Sequence, residues 1–207
     1  MIKAGTDALI IEGHEAGGHI GPVSTTILAQ EILPALSQQV PVFVAGGIGT
    51  GKMMASYLML GASGVQVGTR FVCTHECNAH AKFKEIFIKS SARDAMPTVQ
   101  VDPRFPVIPV RAITNEGSRK FMEIQTEIVN KYKNGEIELK EGQLQIESFW
   151  MGSLRRAVVE GDIETGSLMA GQSVEFVKKE MSVKEVIDEL TDDAIAELKF
   201  YDGLLAK

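Results

Sequence analysis

The fold is decided by residues 41–53, which read Pro-Val-Phe-Val-Ala-Gly-Gly-Ile-Gly-Thr-Gly-Lys-Met. The apolar run at residues 41–45 stops at two glycines, which is typical of a strand buried on both faces of a parallel sheet. A helix is predicted to follow over residues 52–60, with Gly61 as its C-terminal stop. A buried strand, a glycine turn and a helix in this order make one βα unit.

The same unit recurs on both sides of this stretch. Strands are predicted at residues 7–12 and 64–67, and each run ends at a glycine. A helix is predicted between the first two strands, over residues 24–36, with Pro34 ending or kinking it. Strands alternating with helices predict a parallel sheet built by right-handed crossovers.

The rest of the chain loses this alternation. Residues 97–109 contain four prolines and are expected to be extended and irregular, and residues 134–142 are expected to form a loop. Helices are predicted over residues 76–90, 117–132, 147–159 and 183–200. Two parts follow from this change of pattern: residues 1–114 as βα units of a barrel, and residues 115–207 as a mostly helical segment with a second lobe and closing helices.

Composition excludes several classes of protein. The chain has 207 residues and a net charge of −6, so a nucleic-acid binder or a ligand of anionic membranes is not expected. No apolar run reaches the ~20 residues of a membrane span. Cys73 and Cys77 are the two cysteines, too few for a disulfide scaffold, which favours a cytoplasmic location.

The first glycine cluster, residues 12–21, reads Glu-Gly-His-Glu-Ala-Gly-Gly-His-Ile-Gly and follows the first strand. Parallel α/β proteins bind ligands at the carboxyl ends of their strands. Glycines let the backbone approach a flat ligand, and a histidine there serves as acid or base near neutral pH. The alternative is a glycine-rich turn with two solvated histidines.

The second glycine cluster, residues 45–53, follows the middle strand and opens a helix, where N–H groups and the helix dipole favour an anion. It misses the nucleotide-binding P-loop pattern because Met53 stands where Ser or Thr should bind Mg²⁺. A simpler phosphate cradle is predicted, with a plain turn as the alternative.

The third glycine cluster, residues 66–71, reads Gln-Val-Gly-Thr-Arg-Phe at the next strand end. Together with the second cluster it resembles the phosphate grip that barrels build after strands seven and eight. Arg70 is interpreted as a structural ion-pair residue. The nearby Cys73, His75, Cys77 and His80 lack the spacing of a structural zinc site, so no metal is expected; on a helix beginning near residue 74, Cys77 would point inward and the histidines outward.

These three clusters, in this order, resemble the flavin-dependent nitronate monooxygenases, once called 2-nitropropane dioxygenases, and equally their relatives, the flavin-containing enoyl-acyl-carrier-protein reductases. Residues 161–172, with Gly-Ser-Leu-Met-Ala-Gly-Gln at their end, are also typical of the family. The resemblance implies an FMN-dependent oxidoreductase on a (β/α)₈ barrel that oxidises alkyl nitronates, small-molecule substrates, with O₂. His19 falls on the catalytic acid/base histidine. The cofactor-binding positions implied are Glu12, Gly17, Gly18, Gly46, Gly47, Gln66, Val67, Gly68 and Thr69.

One departure from the monooxygenase pattern leaves the substrate open. Glu12 occupies a position where many nitronate monooxygenases have Gln, and Ile20 follows the histidine. Both features, with residues 110–113 and 166–172, favour the alternative of an enoyl-acyl-carrier-protein reductase, which would use NAD(P)H as well as FMN.

The length adds a further expectation. A complete (β/α)₈ barrel needs ~250 residues, so 207 residues with a helical tail imply an incomplete barrel holding the last three βα units. Residues 1–5 resemble the end of a helix already under way. The chain is therefore expected to be a truncated product, a fragment, or one part of a split enzyme or intertwined oligomer, with the missing N-terminal half or another copy as partner. A non-catalytic fragment is the remaining alternative.

Overall fold

The computed structural model of the chain describes residues 2–205. The strands of that part are β1 (Leu9–Glu12), β2 (Gly18–His19), β3 (Val42–Ala45), β4 (Gly64–Gln66), β5 (Ala95–Pro97) and β6 (Val110–Ile113). Its helices are α1 (Thr25–Leu36), α2 (Gly51–Met59), α3 (Thr69–Val72), α4 (Ala81–Lys89), α5 (Glu116–Lys133), α6 (Leu139–Phe149), α7 (Ser153–Arg155) and α8 (Val183–Leu205).

A three-stranded parallel sheet carries the three glycine clusters. β3 lies between β1 and β4. The register pairs Glu12 with Ala45 and Ala45 with Gln66, so the three strands end side by side. Helices α1 and α2 make the crossover connections that parallel strands require. The predicted α/β class and parallel pairing are confirmed.

Helices α1 and α2 lie close to their predicted positions. The side chains of Ser24 and Thr50 accept hydrogen bonds from the first turns of α1 and α2, as N-cap residues do. Gly61 follows α2 with φ +100°, the left-handed geometry that ends a helix. Pro34 does not end α1, which continues to Leu36. Because Pro34 lies close to the end of the helix, it disrupts few of the helical hydrogen bonds.

A second, antiparallel sheet in the order β2-β6-β5 was not predicted. His19 pairs with Val110, and the loop between β5 and β6 occupies most of the stretch expected to be irregular. Strands of two to four residues are too short to show a period-two pattern, which is why the sequence did not reveal them.

Helix α4 begins at Ala81 rather than at residue 76. Residues 74–79 form turns held against the tail of the chain, where the His75 N–H donates to the Met181 carbonyl at 2.9 Å. His80 is the N-cap: its Nδ1 accepts the Lys82 N–H at 3.2 Å. The expected helix start near residue 74 is therefore wrong.

The predicted loop at 134–142 and helix at 147–159 are also partly wrong, whereas α5 matches its prediction closely. Helix α6 includes Gly142, where a Cβ would lie 2.7 Å from the Phe105 ring and 2.9 Å from Ile128. This close packing explains a glycine inside a helix. Gly152, with φ +72°, separates α6 from α7, and a π-helical turn at Arg156–Glu160 follows.

Three apolar clusters form the core. One lies between the parallel sheet and α1 and α2, one between α4 and residues 168–177, and one along α5 and α6. The helix end expected at residues 1–5 is a 3-10 turn at Ile2–Ala4, and Met1 lies outside the described residues. Within residues 2–205, no helix is both long and apolar enough to cross a membrane.

Candidate functional site

A cleft of about 350 Å³ opens at the carboxyl ends of β1, β3 and β4. Its volume is at the small end of the ~300–1,000 Å³ typical of small-molecule sites. All nine cofactor-binding candidates line it: Glu12, Gly17, Gly18, Gly46, Gly47, Gln66, Val67, Gly68 and Thr69. The parallel register explains this convergence, because neighbouring strand ends meet at one edge of the sheet.

Seven further lining residues were not singled out from the sequence: Ala16, Ala45, Ile48, Val72, Met169, Gly171 and Ser173. The last three lie far along the chain from the glycine clusters, and no local sequence pattern could link the two regions. The typical tail sequence at residues 166–172 was the available signal, although it did not point to individual residues.

His19 lies beside the cleft rather than among its lining residues. It is exposed on β2, opposite Val110. Burial in the cleft raises the pKa of Glu12, and the nearby positive charge of His19 opposes that rise. The two side chains are thus electrostatically coupled at the mouth of the cleft, where a carboxylate and an imidazole can exchange protons with a bound molecule.

Glu15 and Thr25, neither of which was predicted as a site residue, join the first two clusters beneath the cleft. The Thr25 N–H donates to Glu15 Oε2 at 2.8 Å and its Oγ1 donates to the same oxygen at 2.7 Å. Thr25 Oγ1 also lies 3.1 Å from the Gly46 carbonyl oxygen. Burial raises the pKa of Glu15, but the hydrogen bonds from Thr25, the N–H of Glu15 itself and the charge of His14 together lower it.

Arg111 supports the first cluster from below. Its side chain is 2% exposed, and its guanidinium donates to the His14 carbonyl at 3.0 and 3.1 Å and to the Ala95 carbonyl at 2.5 Å. Burial lowers the pKa of Arg111, and the charge of Glu15 works against that change. Arg111 therefore fixes the backbone of the first cluster against β5.

The start of α2 is closed to a ligand, which corrects the anion site expected at the end of the second cluster. The Asp193 carboxylate accepts the Lys52 N–H at 3.1 Å. A Cβ on Gly49 would lie 2.1 Å from the Phe176 ring, and one on Gly51 would lie 2.2 Å from the Leu190 carbonyl oxygen. Only the first half of the cluster, residues 45–48, lines the cleft.

The third cluster is tied to the tail. Thr69 Oγ1 accepts the Gly171 N–H at 3.0 Å. Arg70 is buried and donates to the Gly49 carbonyl at 2.6 Å and to Glu189 at 2.8 Å. The interpretation of Arg70 as a structural ion-pair residue is confirmed.

The cysteines and histidines of residues 73–80 differ in their exposure to solvent. Cys73 is buried, Cys77 and His80 are half-buried and His75 is exposed. Within residues 2–205, no group of three or more His, Cys, Asp or Glu side chains is arranged to hold a metal ion.

The cleft is shaped by glycine where a phosphate or a flat ring would approach. Gly46 and Gly47 adopt φ +96° and +75°, a left-handed pair that favours glycine. A Cβ on Gly68 would meet no atom within 4 Å, so the space above it is open. A Cβ on Gly17 would lie 2.4 Å from the Gly171 nitrogen, so this glycine is required for the loop to close on the tail. These features fit a flavin with a phosphate.

Similar proteins identify the family. The family model described as nitronate monooxygenase matches residues 1–193. The structure of FabK from Thermotoga maritima superposes with a TM-score of 0.82 at 36% identity, covering 98% of this chain and 59% of that chain. A probable nitronate monooxygenase of Bacillus subtilis is 29% identical over 205 residues, 94% of this chain and 54% of the relative.

A third relative is named as a dehydrogenase. The (3aS,4S,5R,7aS)-5-hydroxy-7a-methyl-1-oxo-octahydro-1H-indene-4-carboxyl-CoA dehydrogenase of Mycobacterium tuberculosis is 29% identical over 227 residues, 97% of this chain and 63% of the relative. The chain thus spans between 54% and 63% of the length of these three proteins. With its three glycine clusters gathered at one cleft and the family model matched over residues 1–193, the chain belongs to the nitronate monooxygenase family.

Proposed function

We propose that the chain carries the flavin site of an FMN-dependent oxidoreductase that oxidises alkyl nitronates with O₂. The convergence of all three glycine clusters on one cleft is the observation that carries this proposal. Family membership supports it, because curated relatives include probable nitronate monooxygenases.

The residues that would hold FMN fall into two groups, one that contacts the phosphate and one that contacts the ring. Gly46, Gly47 and Gly68 offer backbone N–H groups to the phosphate, with the Thr69 hydroxyl beside them. The backbone of Gly17 and Gly18 lines the cleft and would lie against the flat ring. Bound FMN would supply the electron and hydride transfer, while the chain supplies position and electrostatics.

His19 is proposed as the acid/base that exchanges a proton with the substrate at the mouth of the cleft. Glu12 lines the cleft and interacts electrostatically with His19. His19 is exposed on β2, so its ring is accessible to a molecule bound above the cleft.

The test combines flavin binding with turnover. Purified protein should quench FMN fluorescence with saturable binding and consume O₂ when an alkyl nitronate is added. His19→Asn should retain FMN and lose turnover by about 10²- to 10⁴-fold, whereas His75→Asn, an exposed histidine elsewhere, should match the wild type. Absence of FMN binding, or full turnover in His19→Asn, would refute the proposal.

A second candidate, an enoyl-thioester reductase using NAD(P)H, is favoured by the apolar surface beside His19. His19 and Val110 are a cross-strand pair, so their side chains share one face of the antiparallel sheet. Met96, which is 54% exposed, pairs with Ala112, two residues along β6 from Val110, so its side chain lies on the same face. An apolar acyl chain could lie there. NAD(P)H oxidation that depends on an enoyl thioester, without nitronate-dependent O₂ uptake, would favour this candidate.

The proposal also includes the place of the parallel sheet within a complete barrel. We infer that β1, β3 and β4 are the last three strands of a (β/α)₈ barrel, with residues 1–114 as barrel units and residues 115–207 as the helical segment. In a closed barrel the outer edge of β1 pairs with a further strand, from another segment or another copy. Slow hydrogen exchange at the outward amides of β1 in the assembled enzyme would support this, and fast exchange would contradict it. The cytoplasmic location stays a prediction.

A further inference from the structure

Thr25 is the contact point between the first and second glycine clusters. Its side chain is 2% exposed, and its Oγ1 lies within hydrogen-bond distance of both Glu15 Oε2 and the Gly46 carbonyl oxygen. The Thr25 N–H and Oγ1–H both donate to Glu15 Oε2, and the Oγ1–H bond orients the hydroxyl, whose one proton is shared with the Gly46 carbonyl oxygen. Glu15 therefore determines where the Thr25 hydroxyl points.

The Gly46 carbonyl fixes the direction of the next N–H. In a trans peptide the C=O and the following N–H point in opposite directions. Because the Gly46 carbonyl faces Thr25, the Gly47 N–H faces away from it. Within residues 2–205 this N–H has no protein acceptor, and both glycines line the cleft.

The Glu15 side chain also packs beneath the same peptide. A Cβ on Gly47 would lie 2.8 Å from Glu15 Cβ, so the aliphatic part of Glu15 contacts the backbone of this glycine. Glu15 itself does not line the cleft. Glu15 contacts the Gly46–Gly47 peptide on the side away from the cleft. It does so directly through its aliphatic part and indirectly through the Thr25 hydroxyl.

We propose that Glu15 and Thr25 are positioning residues that hold the Gly46–Gly47 peptide with its N–H directed into the cleft, as a donor to the phosphate of the cofactor. This inference rests on the proposed function. It predicts that the pair affects the phosphate contact and leaves the contacts to the ring unchanged.

Comparing FMN with riboflavin separates positioning from general structure, because riboflavin has the ring but lacks the phosphate. Thr25→Val removes the hydroxyl at nearly constant volume and should weaken FMN binding roughly tenfold, the cost of one hydrogen bond to a charged group. Riboflavin affinity should not change. Thr25→Ser keeps the hydroxyl and should restore FMN affinity, and Glu15→Gln should lower it by a smaller factor, since a neutral acceptor holds Thr25 less firmly.

The controls are Thr126→Val, whose hydroxyl donates to the Met122 carbonyl in α5, and Glu31→Gln on the exposed side of α1. Both should keep the wild-type ratio of FMN to riboflavin affinity. Thermal melting without flavin checks that each variant folds, and Glu15→Gln carries the test if Thr25→Val does not fold. An unchanged ratio in Thr25→Val, or in Glu15→Gln, overturns this inference alone. Wild-type protein that binds neither flavin overturns the proposed function and this inference with it.

Discussion

The Asp193 carboxylate of α8 accepts a hydrogen bond from the Lys52 backbone N–H at the first turn of α2, although the two residues are 141 positions apart. A carboxylate at a helix N-terminus satisfies a free N–H and interacts favourably with the helix dipole. This bond gives α2 a cap supplied by the C-terminal helix. The N-terminus of α2, which the sequence included in the predicted anion site, is thus capped by the protein itself, and residues 45–48 of the second cluster still line the cleft.

Asp193→Ala should therefore lower the free energy of unfolding by about 1 kcal/mol, the usual worth of a helix cap. Solvent screens part of this interaction and reduces the loss of stability, because the bond lies near the surface. Urea denaturation monitored by circular dichroism would measure the change. Asp192→Ala, at the neighbouring position, is the control and should cost less than half as much. Equal effects of the two substitutions would contradict the capping role.

Gly17→Ala should disrupt the cleft, whereas Gly21→Ala in the same cluster should not. A Cβ on Gly17 would lie 2.4 Å from a backbone nitrogen of the tail, while one on Gly21 meets no atom within 4 Å. Because backbone atoms cannot move aside as a side chain does, we expect Gly17→Ala to cost about 2–4 kcal/mol. Differential scanning calorimetry would compare the two. A Gly17→Ala protein as stable as Gly21→Ala would contradict the close approach of the first loop to the tail.

Arg111→Met should destabilise the protein by about 2–4 kcal/mol, because it leaves the His14 and Ala95 carbonyls without their buried donors. Arg111→Lys keeps the charge but lacks the planar fork that spans both carbonyls, so its stability should fall between those of the wild type and Arg111→Met. Arg119→Met on the exposed side of α5 is the matched control. Chemical denaturation would measure all three, and a neutral or stabilising Arg111→Met would show that the guanidinium is dispensable.

Cys73 should resist alkylation at pH 8 while Cys77 reacts. Burial raises the pKa of the Cys73 thiol from 9.0 to about 12, and the thiolate is the reactive form. Mass spectrometry after iodoacetamide treatment would locate the label, and both cysteines should react once the protein is unfolded. The same shift has a consequence for stability: above pH 9 the unfolded thiol ionises first, so its contribution to folding is lost progressively up to about pH 12. Preferential labelling of Cys73 would contradict its burial.

The sequence was sufficient to predict the parallel sheet and the cleft, because each depends on local patterns. The apolar runs ending in glycine identified β1, β3 and β4, and their carboxyl ends had to meet at one edge. Glu15 was missed for a physical reason: its role depends on Thr25, ten residues away, and on Gly46, beyond the next helix. No periodicity encodes such contacts.

The helical errors have a similar origin. Gly142 favours a loop in the sequence because glycine disfavours helices, yet close contact with Phe105 outweighs that preference. The sequence predicts the start of α4 five residues early because residues 74–79 are held by the tail near Met181, which lies far along the chain. Tertiary contacts decided both boundaries.

The contact of Gly171 with the first cluster also constrains when the cleft can form during translation. Residues 15 and 172 are joined by a hydrogen bond of 3.0 Å from the Gln172 N–H to the Glu15 carbonyl. A ribosome must therefore synthesise most of the chain before the first loop reaches its final shape. The parallel strands can assemble early, since their partners are near in sequence, but the ligand site matures late. A nascent chain arrested before the tail emerges should hold the sheet without a finished cleft.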